Sequence, residues 1–155
     1  MSEGGTETPK GIESKEDVRG ALFVVVDEDN RILMQQRDEH CWHYPLAWCV
    51  PGGHRKEGES PTDAAVRELF SEYNISVRAE DAEVVKIHKQ PHADGYTQVT
   101  LFRIPNSAKN EIVKREGKAY DFYSLDEIRE KQRTEGLGFG NEQFLDDIEE
   151  ILTRP

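Results

Sequence analysis

Apolar and polar positions follow two rhythms along this chain. Residues 20–27 (GALFVVVD) form a continuous apolar run with three valines, the pattern of a strand buried on both faces. A polar turn, Asp27-Glu28-Asp29-Asn30, follows it, and residues 31–37 (RILMQQR) return as a second strand. Trp48-Cys49-Val50 reads as a short strand ending at Pro51-Gly52-Gly53, where paired glycines suit a sharp turn. Residues 83–90 (EVVKIHKQ) and 97–104 (TQVTLFRI) predict two strands joined across Pro91-His92-Ala93-Asp94-Gly95, and residues 119–124 (AYDFYS) predict another.

The period changes after Gly53. Ser60-Pro61-Thr62-Asp63 offers a serine N-cap, proline at the first helical position and an acid at the third. Ala65, Leu69 and Tyr73, with Val66 and Phe70, then form an apolar stripe, and Asn74 can take the left-handed conformation that ends a helix. Residues 125–133 and 143–153 predict two more helices, the second with Asn141 as a candidate N-cap. Gly136, Gly138 and Gly140 follow no strand of a βαβ unit, so they read as a flexible lead into that helix rather than a phosphate loop. Residues 1–17 are polar and nearly free of apolar side chains, the composition of a mobile tail. The remaining 18–155 form one domain of class α/β, with helices lying against a mixed β-sheet and no internal repeat.

Composition narrows the range of functions. A chain of 155 residues can bury a core without disulfides or a structural metal. Its net charge of −11 opposes binding of long nucleic acids, whose phosphates require a basic stripe, but allows a small nucleotide that brings its own cation. Cys41 and Cys49 make no disulfide framework, no apolar run has the length of a membrane span, and the polar N-terminus is no signal peptide. These features point to a cytoplasmic protein with reduced thiols. Its quaternary state stays open, a homodimer among the options.

Candidate chemistry centres on acids near the first helix. Positions three and four apart share a helix face, so Glu68 and Glu72 are neighbours and Ser71 sits beside them. At about 6 Å and an effective dielectric near 20, two such charges repel by roughly 3 kcal/mol. At the mouth of a cleft, that pair becomes a site for a hard cation preferring oxygen ligands. Glu59 and Arg67 flank the loop–helix junction, and a bridge between them would hold the loop. His40, Cys41, His43, Cys49 and His54 invite a zinc reading, but none repeats at zinc-ligand spacing.

The run from Gly53 through Glu59, Arg67, Glu68, Leu69 and Glu72 to Ile75 resembles the Nudix hydrolase signature G-x5-E-x7-R-E-U-x-E-E-x-G-U, with U apolar. Ser71 stands where the pattern has glutamate and Asn74 where it has glycine. The resemblance implies a Nudix-type α/β/α sandwich and a Mg²⁺ site, with Mn²⁺ as an alternative ion. It makes Glu68 and Glu72 metal-binding and catalytic, with the Gly53 carbonyl, Ser71 and Glu116 completing the metal set and Glu57 a weaker candidate. Glu116 reads equally well as a plain surface residue. Gly52, Glu59 and Arg67 would support the site. The implied reaction is hydrolysis of a phosphoanhydride in a nucleoside diphosphate linked to another group. Arg37 and Arg55 are candidates for phosphate contact, and Trp42, Tyr44 and Phe139 for stacking on a base, though packing explains the aromatics too. Pro91, sixteen residues beyond Ile75, resembles a feature of members that cleave ADP-ribose. Two rivals remain: a catalytically silent nucleotide- or partner-binding module, suggested by Ser71, and hydrolysis of a nucleotide sugar at carbon.

Overall fold

The structure, a computed structural model, describes residues 17–89 and 95–155. The expected tail lies outside these residues except for Asp17, as does Pro91 with most of its turn. Among the described residues, seven strands make a single sheet: β1 (Val18–Val26), β2 (Ile32–Gln36), β3 (Trp48–Cys49), β4 (Gly52–His54), β5 (Glu83–Lys89), β6 (Tyr96–Arg103) and β7 (Ala119–Tyr123). The main path runs β3-β2-β1-β6-β5, with β4 added to β1 and β7 to β2. β1 and β6 are parallel while every other pair is antiparallel, so the sheet is mixed.

Strand alternation divides the apolar run of β1 between two layers. Phe23 and Val25 join Leu33 beneath α1 (Pro61–Tyr73), against Ala65, Leu69, Tyr73 and Ile75. Leu22, Val24 and Val26 face the other way with Ile32 and Met34. They meet Ile128 of α2 (Leu125–Thr134) and Leu145, Ile148 and Ile151 of α3 (Leu145–Leu152). A strand covered on both faces has no polar side to show, which is why the run reads as continuously apolar. Helices on both faces give the expected α/β/α sandwich. Among the described residues, no helix is long and apolar enough to cross a membrane.

α1 has the ends its sequence announces. The Ser60 hydroxyl accepts from the Asp63 N–H at 3.0 Å, and Asn74 at φ 60°, ψ 32° returns its N–H to the carbonyls of Leu69 and Phe70. Its apolar stripe is narrower than expected, since Phe70 is 55% exposed.

The C-terminal region departs further from expectation. The last helix begins at Leu145, preceded by a 3₁₀ segment over Gly138–Phe144 in which Phe139 (φ 58°) and Gly140 (φ 67°) are left-handed. Those two residues interrupt the helical path. Gly138 and Gly140 are buried, so the glycine-rich stretch is a packed corner and not a flexible lead. Asn141 caps no helix. It is buried, and its Oδ1 accepts the Val50 N–H at 2.7 Å.

Asn141→Ala would leave that buried N–H unpaired, which costs about 1–3 kcal/mol. Urea denaturation should show a loss of that size; unchanged stability would mean the Val50 amide finds another acceptor.

Candidate active site

An open cleft of about 780 Å³ lies between α1, the sheet and the loop carrying Glu116. Ala21 and Leu22 of β1, Gln35 of β2 and all of β4 line it, with Arg67, Glu68 and Glu72 along the α1 side. Arg37, Glu116 and Phe139 contribute from beyond the ends of strands.

The paired glycines work differently from the turn expected of them. Gly52 and Gly53 lie in β4, antiparallel to β1 opposite Leu22 and Ala21, and neither has a positive φ. Their smallness serves close approach instead. A Cβ on Gly53 would fall 2.5 Å from Oε2 of Glu68, and one on Gly52 would strike the Leu22 side chain and come 2.8 Å from the Ala21 carbonyl. Gly53 thus leaves room for the Glu68 carboxylate above β4, and Gly52 lets β4 lie close against β1.

Arg67 joins loop, strand and helix. Its Nε and Nη2 donate to the two oxygens of Glu59 at 2.8 and 3.0 Å, and Nη2 also reaches the His54 carbonyl at 3.1 Å. Glu59 accepts the Lys56 N–H at 2.8 Å as well, and with the Arg67 fork foremost its carboxyl is held down at about 2. Nη1 of Arg67 lies 3.5 Å from Oε1 of Glu68.

Among the described residues, Glu72 is the acid most penalised by its surroundings. It is 8% exposed, and its buried Oε1 has no hydrogen-bond partner. Burial, then the charges of Glu116 and Glu68, push its carboxyl up to about 8. Glu116 stands at the exposed rim of the cleft, where lost hydration and the Glu68 charge raise its carboxyl and Arg37 opposes them. Arg37 is held for this role. Its Nε donates to the His43 carbonyl at 2.9 Å, and its guanidinium lies 4.6 Å over the Phe139 ring.

The cleft therefore gathers Arg37, Gly52, Gly53, Arg67, Glu68, Glu72, Glu116 and Phe139, with Glu59 behind Arg67. It does not gather the others. Ser71 and Glu57 are exposed and outside the lining, and Trp42 is 90% exposed. Tyr44 packs on Phe139 with ring centroids 4.8 Å apart, and Arg55 donates Nε to the Val18 carbonyl at 2.8 Å; neither lines the cleft. Among the described residues, no three His, Cys, Asp or Glu side chains stand as a ready-made metal-binding group. The carboxylates line one space without converging on one point.

Residues that the sequence did not single out also face this space: Arg19, Gln35, Lys56 and Thr97, with His43 and His54 weighed only for zinc. Gln35 lies two positions before Arg37, so period-two alternation would have placed it on the same face. It accepts the Tyr73 hydroxyl at 2.5 Å, fastening α1 to β2.

Comparison with known proteins identifies the family and the fold. The NUDIX domain profile matches residues 17–146, and the chain belongs to that family. It is 42% identical over 59 residues to a nucleoside triphosphate pyrophosphatase/Nudix hydrolase fusion protein of Bifidobacterium longum, covering 37% of this chain and 12% of that one. It is 37% identical over 62 residues to Nudix hydrolase 3 of Caenorhabditis elegans, covering 40% and 25%. The chain thus spans a quarter or less of these two relatives. In fold it resembles the MutT protein of Methanosarcina mazei Go1, with a TM-score of 0.66 and 17% identity over 87% of this chain and 94% of that one.

The buried acid sets a pH dependence. Between about pH 4.5 and 8 the folded protein keeps a proton on Glu72 that the unfolded chain releases, so stability falls as pH rises through that window. In chelator-treated protein, Glu72→Gln should flatten this decline and exceed the wild type in melting temperature at pH 8.5. Parallel melting curves from pH 5 to 8.5 would mean that Glu72 ionises without penalty.

Proposed function

We propose that this protein is a divalent-cation-dependent hydrolase of the phosphoanhydride bond in a nucleoside diphosphate linked to a further group. One observation carries the reading: a buried carboxylate oxygen of Glu72 lacks any partner while Glu116 and Glu68 add negative charge around it. An acid so placed is costly unless a cation joins it. The donors are all oxygens, which suits Mg²⁺ or Mn²⁺. Glu68, Glu72 and Glu116, which line one space, would close on the ion together with the Gly53 carbonyl, and once bound it would shield the charge of the phosphate oxygens.

The side chains supply the remaining steps. Glu68 or Glu72 orients a water and takes its proton as the oxygen attacks phosphorus. The bond to the bridging oxygen breaks, releasing a nucleoside monophosphate and the phosphate of the second group. Arg37, held from behind by Phe139 and the His43 carbonyl, meets developing charge without reorganising. Arg19 and Lys56 add positive charge elsewhere along the cleft. Ser71, the ground for a silent module, lies outside the lining and does not weaken the carboxylate set within it.

The test is a panel of ADP-ribose, dinucleoside polyphosphates, nucleotide sugars and nucleoside triphosphates with Mg²⁺ or Mn²⁺. Monophosphate release from a diphosphate-linked substrate is expected. Free sugar would indicate attack at carbon, and saturable binding without turnover would indicate a silent module. Glu72→Gln should lower kcat by about 100-fold or more while circular dichroism stays unchanged; near wild-type turnover would remove Glu72 from the reaction.

A further inference from the structure

The loop bearing Glu116 is tied to the end of α1 by the residue next to that acid. Arg115 donates its backbone N–H to the Glu72 carbonyl at 2.9 Å, and its Nη1 reaches the carbonyls of Phe70 and Ser71 at 3.2 and 3.1 Å. The Val113 N–H adds the Tyr73 carbonyl at 3.1 Å. Carbonyls in the last turn of a helix lack their full set of intrahelical donors and carry the negative end of its dipole. The last turn of α1 contains no basic residue of its own, so a cation from another segment fills that role. On its far side the loop is held by the Lys118 N–H on the Gln36 carbonyl at 2.9 Å, and Gly117 packs against Gln35. Glu116 lies between these two anchorages.

We propose that Arg115 is a positioning residue: by capping the C-terminal end of α1 it fixes the backbone that carries Glu116 into the cleft lined by Glu68 and Glu72, and so sets the affinity of the site for its cation. The inference rests on the reading of Glu116 as a cation ligand. Adjacent Cα atoms are only about 3.8 Å apart, so pinning Arg115 at backbone and guanidinium leaves Glu116 little freedom. The same residue that senses the end of the helix thereby registers the position of Glu72, whose carbonyl it touches.

The test is Mn²⁺ binding followed by electron paramagnetic resonance on the full chain, stripped with chelator and free of substrate. Glu116→Gln and Arg115→Met should each raise the dissociation constant by roughly tenfold or more, as loss of a supporting contact does at metal sites. Arg115→Lys, which can still donate to the carbonyls, should recover most of the loss. In the Glu116→Gln background, Arg115→Met should change the constant by less than about twofold, because the two residues act as one unit. Full multiplicative loss in the double variant would show that Arg115 acts through the fold at large and would overturn the proposal. So would wild-type affinity in Arg115→Met alongside weakened Glu116→Gln. An unaffected Glu116→Gln would instead remove Glu116 from the cation set, and the inference would fall with that reading. If Arg115→Met does not fold, Arg115→Leu, which likewise donates nothing, carries the same comparison.

Discussion

The arrangement of this protein turns on the burial of Glu72 on a helix that cannot rotate. Its neighbour Tyr73 is fully buried and fastened by its hydroxyl to Gln35 of β2, while Ala65 and Leu69 sit in the core beneath. These contacts hold α1 in a single rotational setting, and that setting presents Glu68 and Glu72 to β4. Core packing supplies the force that keeps the two acids together, since turning them to water would expose Tyr73 and Leu69. Burying such side chains is worth about 1.5–3 kcal/mol each. That is enough to hold two acids at a distance where they repel.

The surrounding residues make that burial serviceable. Arg67 binds Glu59, the His54 carbonyl and Glu68 at once, so the loop entering α1, strand β4 and the first carboxylate move as a unit. Gly52 and Gly53 remove the side chains that would otherwise separate β4 from Glu68 and Leu22. Arg37 lies on Phe139, itself held in a left-handed corner against Tyr44. Positive charge thus reaches the cleft on rigid supports, while the negative charge at its centre is left without a hydrogen-bond partner on Glu72.

Much of this was legible in the sequence, and the failures have physical causes. Periodicity and capping chemistry located α1 with its ends, because Ser60, Pro61 and Asn74 act on their own neighbours. The same local rules missed interactions made at long range. Asn141 has the chemistry of a helix cap, but a buried acceptor for the Val50 amide, 91 residues away, requires the identical side chain. The glycines of β4 looked like a turn because the demand on them comes from β1 and Glu68. Trp42 and Phe139 are both loop aromatics; only the left-handed corner at Phe139 and Gly140 turns one of them into the cleft. Arg115 escaped notice because capping from another segment leaves no spacing to read.

The two departures from the family signature are tolerated for unlike reasons. At position 74 the requirement is a left-handed backbone, and asparagine meets it at φ 60° while its side chain adds a bond to the Glu111 carbonyl at 3.0 Å. At position 71 the requirement is geometric. Successive helix residues are about 100° apart around the axis, so with Glu72 aimed into the cleft its predecessor tips toward solvent. Ser71 is exposed there, and the Arg115 guanidinium lies against its carbonyl. A hydroxyl in that place leaves Glu68 and Glu72 where core packing sets them.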